Sequence, residues 1–75
     1  MQLIDARLVE ATLKGDRNAF SQLVKRHQSF LLGYALRRVK NFADAEDIVQ
    51  EAFLKAYESL PMLQDHSKFA SWLYQ

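Results

Sequence analysis

"DAEDIVQEAFLKAY", residues 44–57, decides the fold and raises the question of function. Plotted at about 100° per residue, its apolar side chains Ala45, Val49, Ala52, Phe53 and Ala56 share one face, and Leu60 extends it. The opposite face carries Asp47, Gln50, Glu51 and Glu58, with Leu54 in their midst. This is an amphipathic helix with its core side and solvent side cleanly divided. Asp44 is the expected N-cap, and Glu46 and Asp47 suit the positive end of the helix dipole. Pro61 lacks an amide donor and disfavours helix in the residue before it, so the helix should end near Leu60. Ala45, Ala52 and Ala56 are small enough to let a neighbouring helix approach closely. Leu54 has two readings. Single exposed leucines are common on folded surfaces. A leucine ringed by acids and an amide also has the make-up of a small binding patch, apolar at its centre and polar at its rim. Geometry alone leaves both readings open.

Working outward, the preceding segment is expected to be helical over residues 17–40. Phe20, Leu23, Val24, His27, Leu31, Tyr34 and Ala35 form its main stripe, flanked by Leu32, Leu36 and Val39. So wide an apolar surface needs partners on two sides, which makes this helix the hub. "KNFAD", residues 40–44, interrupts the pattern. At the N-terminus, Leu3, Ile4, Leu8, Val9 and Leu13 recur at helical spacing until "KGD", residues 14–16. Gly15 can turn left-handed at the helix end, and Asp16 can cap the hub. "PMLQDHS", residues 61–67, reads as a loop. From Asp65 or Ser67 a last short helix begins, with Phe69, Trp72 and Leu73 facing inward. The fold class is therefore all-α, a compact bundle of three main helices plus a short C-terminal helix.

A chain of 75 residues, 49% of them hydrophobic, allows one small domain and is too apolar for a disordered tail. Two Gly and one Pro are few for a turn-rich β domain. Cys is absent, which rules out disulfides and thiolate metal sites and suits a reducing cytoplasm. No apolar run approaches the ~20 residues of a membrane span. The first sixteen residues mix acids with apolar residues, unlike a signal peptide. Net charge is +1, but it is unevenly placed: residues 1–40 hold eight Lys/Arg against three Asp/Glu, and residues 41–75 hold two against six. Two solvated helix faces account for this, as does a domain set between an acidic and a basic partner.

Three stretches in order carry a family resemblance: "GDRNAFSQLVKRHQ", "DAEDIVQEAFLKAYESL" and "FASWLYQ". Together they resemble region 2 of bacterial RNA polymerase sigma factors, most closely the extracytoplasmic-function (ECF) group, from about residue 8 to residue 75. The resemblance implies a helical domain that docks on the β′ clamp helices of the polymerase core, with Asp47, Gln50, Glu51, Phe53 and Leu54 as contacts. Phe53 also falls at the edge of the core stripe. The resemblance further implies a role in recognising and melting the promoter minus-ten element, with Lys68, Trp72, Tyr74 and Gln75 meeting the strand and His66 and Ser67 in the adjoining loop. Aromatic rings can stack on unpaired bases while cations hold phosphates. The helical spacing of Phe69, Trp72 and Leu73 equally fits a core trio. An anti-sigma protein is a further implied partner, and Leu32 and Leu36 form a face it could cover. Family members continue beyond the position of Gln75 into a basic stretch. The expectation is therefore a region 2-like domain over residues 1–75, cut short at its DNA-reading end, which binds clamp helices without opening a promoter. Two alternatives stay open: a sigma-like regulatory mimic that engages an anti-sigma protein without reading DNA, and an unrelated helical adaptor.

Enzymatic chemistry finds no support. No nucleophile-and-base set, glycine-rich phosphate loop or paired Glu-x-x-His motif is present. No catalytic residue, metal site or cofactor is expected. His27, on the hub's apolar stripe, reads as a hydrogen-bonded core histidine, and His66 as an exposed loop residue.

Overall fold

The computed structural model describes residues 2–74. Its elements are α1 (Gln2–Leu13), α2 (Arg17–Leu36), α3 (Phe42–Ser59), two 3₁₀ turns (Leu60–Met62 and His66–Lys68) and α4 (Phe69–Leu73). No strand occurs among the described residues, and the all-α bundle of three main helices and a short fourth is as the spacing predicts.

Short connections fold the chain back on itself twice. Gly15, at φ 106°, occupies the left-handed region that ends α1 without a Cβ penalty. Asp16 then caps α2, its Oδ1 accepting the N–H groups of Asn18 and Ala19 at 3.0 and 3.3 Å. Contacts run in antiparallel order about each connection. Asp5 near the start of α1 meets Arg26 and His27 midway along α2. Phe20 near the start of α2 meets Tyr57 near the end of α3, ring edge to ring face at 4.9 Å. α2 packs against both α1 and α3, as its wide apolar surface requires. The second 3₁₀ turn packs on α1, and α4 touches α1 and α3, closing the bundle. Twenty residues of α2 span about 30 Å and account for most of the 36 Å long axis.

The core contains Val9 from α1, Leu23, Leu31 and Ala35 from α2, Ala45, Val49, Phe53 and Ala56 from α3, then Leu60, Leu63, Phe69 and Leu73. Ala52 packs at its edge. Phe69 and Leu73 are buried in the last helix, and Trp72 packs partly buried against the core beside Phe69.

Four local expectations need correction. First, α3 begins at Phe42, and its N-cap is Asn41, not Asp44: Asn41 Oδ1 accepts the Asp44 N–H at 3.1 Å. Two cap-competent residues stand three apart here, and the earlier one gains the helix more intrahelical bonds. Second, α2 stops at Leu36 rather than Lys40. The N–H groups of Arg38 and Val39 both return to the Ala35 carbonyl, and Val39 packs on the core from the turn. Third, Tyr34 lies at the surface, where its hydroxyl accepts from Arg38 Nη2 at 2.6 Å and its ring lies 4.9 Å from the Arg38 guanidinium. Fourth, "PMLQDHS" is not a plain loop: it links the two 3₁₀ turns and contributes residues to each. Asp65 caps the second, accepting from the Ser67 N–H at 3.1 Å and the Ser67 hydroxyl at 2.6 Å.

α1 departs furthest from its spacing. Its inward positions are Asp5, Val9 and Thr12, one helical face at i, i+4 and i+7, while Leu3, Ile4 and Leu13 are exposed. Thr12 Oγ1 donates to the Leu8 carbonyl at 2.8 Å, so its hydroxyl is satisfied within the helix. Among the described residues, no buried side-chain polar atom lacks a partner.

Candidate polymerase- and strand-contact faces

α3 presents Asp47, Gln50, Glu51, Leu54 and Glu58 to solvent along its outer side. Leu54 is 58% exposed. Glu51 pairs with Lys55 one turn on, at 3.8 Å between well-exposed groups, a contact worth a few tenths of a kcal/mol. The face thus keeps its acidic character. Ile48, one residue round from Asp47, is also exposed, as are Phe42 and Tyr57 near the two ends of this helix.

Leu54 is not an isolated leucine among acids. It forms one wall of an apolar groove of about 370 Å³ between α2 and α3, lined also by Phe20, Val24, Val49, Phe53 and Tyr57. Phe53 is 6% exposed and belongs to the core beneath this groove. The ring sits at the core edge of the face, as its angle on the helix suggests, and lines the groove floor while Asp47, Gln50, Glu51 and Leu54 face outward. The sequence reading missed Phe20, Val24 and Tyr57 as groove walls. Tyr57 stands three residues after Leu54, and Phe20 and Val24 are one turn apart on the facing helix, so antiparallel pairing about residues 37–41 was the signal that could have joined them.

At the other end, the expected strand contacts do not converge on one side. Trp72 borders a cleft of about 170 Å³ with Ala52, Lys55 and Ala56 of α3. Tyr74 instead faces α2, stacking on Phe30 with ring centroids 5.2 Å and planes 28° apart. Residues two apart on a helix point about 200° apart, which explains the split. Lys68 is exposed at the end of the second 3₁₀ turn. Gln75 lies outside the described residues. His66 is not a free loop residue: its Nδ1 sits 3.6 Å from a Glu10 carboxylate oxygen on α1. Ser67 serves the Asp65 cap.

Two ionisable groups near this end are displaced from their ordinary values. Hydrogen bonds from the Ser67 hydroxyl and then its N–H hold the Asp65 carboxyl low, with smaller help from Lys68 and His66. Burial pushes the Tyr74 phenol up, and the negative charge of Asp5 adds to the rise. Asp5 and Phe30 were not singled out from the sequence. His27 is the hydrogen-bonded core histidine expected, with Nε2 2.9 Å from Asp5 Oδ2. Among the described residues, no group of three or more His, Cys, Asp or Glu is placed to hold a metal ion, and no helix is long and apolar enough to cross a membrane.

A helical domain with a leucine-centred acidic face and an aromatic end agrees with what comparison with known proteins finds. The family model for Sigma-70 region 2 matches residues 23–75, and the chain belongs to that family. Its relatives are narrower in kind. An RNA polymerase sigma-H factor of Pseudomonas aeruginosa is 42% identical over 71 residues, covering 95% of this chain and 37% of that protein. ECF RNA polymerase sigma-E factors of Haemophilus influenzae and Escherichia coli are 43% and 45% identical over 74 residues, 99% of this chain and 39% and 38% of theirs. The chain therefore spans less than two-fifths of the length of these relatives.

Proposed function

We propose that this chain is the polymerase-docking and promoter-recognition domain of an ECF-type sigma factor. It acts in the cytoplasm, over residues 1–75, in transcription initiation. One observation supports the docking half above all others: Asp47, Gln50, Glu51 and Leu54 lie on one exposed face whose apolar centre continues into the α2–α3 groove. A partner with a row of cations around an apolar ridge complements such a face in charge and in shape. The β′ clamp helices of RNA polymerase core are that partner.

Promoter DNA at the minus-ten element is the second partner, met through Lys68, Trp72, Tyr74 and Gln75. Trp72 on α4 and Tyr74 just after it are partly exposed rings on two sides of the last turn, and Lys68 is an exposed cation within a turn of Trp72. This set suits an unpaired strand, whose bases stack and whose phosphates need a counter-charge. An anti-sigma protein is the third partner. Leu32 and Leu36 pack partly against the core beside α3 and leave less bare surface than their spacing suggests. Phe42, Ile48, Leu54 and Tyr57 are the more exposed large apolar residues along α3.

Titration of the chain against a β′ clamp-helix fragment at two salt concentrations tests the docking reading. Saturable binding that weakens as salt rises is expected, because screening acts on the acidic face. A chain that ignores the clamp helices but captures an anti-sigma protein would instead be a regulatory mimic.

A further inference from the structure

α1 buries a carboxylate that neither docking nor strand contact uses. Asp5 is 3% exposed, and both of its oxygens are engaged from α2: Arg26 Nε donates to Oδ1 at 2.9 Å, and His27 Nε2 stands 2.9 Å from Oδ2. A buried acid is costly unless it is paired, so its place in the α1–α2 contact, with a partner at each oxygen, is a specific arrangement rather than a generic one. The imidazole reaches further. Its other nitrogen, Nδ1, lies 3.5 Å from the Tyr74 hydroxyl. With Asp5 accepting from Nε2–H, Nδ1 of the neutral ring is left as an acceptor, and the Tyr74 O–H can donate to it. At 3.5 Å this bond is long, so it orients the phenol rather than clamping it.

Tyr74 is held by rings as well. His27 meets it edge-on at 6.5 Å and 75°, and Phe30 stacks on it. Phe30 stands one turn after His27 on α2 and is 67% exposed, so the stack opens to solvent on its Phe30 side. An exposed aromatic face beside a second ring is the kind of surface on which an unpaired base stacks.

We propose that Asp5 is a positioning residue for the aromatic end of the domain: through His27 it fixes the Tyr74 ring against Phe30 and so presents the Phe30–Tyr74 stack as a platform for an unpaired base. The platform rests on the strand-contact reading of this end; the positioning does not. Asp5 sits on α1, Phe30 on α2 and Tyr74 beyond α4, so the bridge ties three elements together at one point.

The test uses the whole chain with two readouts. Ring-to-ring NOEs and ring-current shifts report the Phe30–Tyr74 stack, and anisotropy of a labelled twelve-nucleotide single strand reports binding. Asp5→Leu and His27→Leu should each lose the Phe30–Tyr74 NOEs and weaken strand binding about fivefold. The double variant should be no weaker than either single one, since both cut the same bridge. Asp5→Asn keeps an oxygen to accept from His27 Nε2–H and should restore both readouts to within twofold of the parent. Phe30→Leu, at an exposed position, should weaken strand binding as much while leaving the helical circular dichroism intact. Persistent NOEs in Asp5→Leu, or failure of Asp5→Asn to restore the stack where Asp5→Leu does not fold, overturn the positioning. Unchanged strand binding in Phe30→Leu overturns the platform. A parent chain that binds no strand overturns the strand-contact reading with its platform, and the NOEs still decide the role of Asp5.

Discussion

Leu3 on α1 and Leu54 on α3 are about equally bare, 65% and 58% exposed, but they stand in different surroundings. Leu54 walls an apolar groove and is bordered by Asp47, Gln50, Glu51 and Glu58. Among the described residues, Leu3 is not part of the lining of the grooves beside α3, and the residues α1 turns inward include a charge, Asp5. Exposure by itself therefore says little about function. What distinguishes the α3 face is an apolar centre continuous with a depression and a mainly acidic rim.

The two helices are also held by different forces, and substitution separates them. Phe53→Ala removes a buried ring from the α3 side of the core and should cost about 3–5 kcal/mol, read by denaturant unfolding. Asp5→Ala removes a partner that Arg26 and His27 share in the α1–α2 contact. It should cost less, about 2–3 kcal/mol, because Arg26 keeps access to water at 26% side-chain exposure. If Asp5→Ala proved neutral, α1 would be held by Val9 and its neighbours alone. Asn41→Ala should cost about 1 kcal/mol by leaving the α3 N-terminus uncapped, whereas Asp44→Ala should cost less. Equal losses would return the cap to Asp44.

The smallest effect is expected at Asp65. Its carboxyl is held below the ordinary carboxylate range in the folded chain, so what it contributes is present above its unfolded value and is lost as pH falls through the folded one. A proton-NMR titration following the Ser67 amide should show a midpoint below that of Asp in an unstructured peptide. The group is fully exposed, and the 3₁₀ turn should loosen without unfolding the bundle.

Much of this was legible in the sequence, for physical reasons that differ by element. α3 follows its spacing because it packs by one face and shows the other to water, so the buried Ala45, Val49, Phe53 and Ala56 could be read directly. The Gly15–Asp16 turn was legible because each residue does something few others can do there. α1 was not, because an acid that finds partners 21 and 22 residues away can outcompete a leucine for an interior position, and spacing within one helix is blind to that. The acidic face and Leu54 were read from α3 alone. The groove beside them needed Phe20 and Val24 from α2, and hence the pairing of two helices. The resemblance points to Tyr74, but its stacking partner Phe30 lies 44 residues earlier in the chain.

The measurement that bears most directly on the docking account compares the two bare leucines. Leu3→Ala, Leu54→Ala and Asp47→Ala chains are titrated against the β′ clamp-helix fragment at low and high salt, with helicity checked by circular dichroism. Leu54→Ala should weaken binding about 5–30-fold, the equivalent of about 1–2 kcal/mol. Asp47→Ala should weaken it at low salt and flatten its salt dependence, while Leu3→Ala should bind like the parent. Equal affinity across all three variants and the parent would contradict the account, and would mean that the outer face of α3 is only solvated.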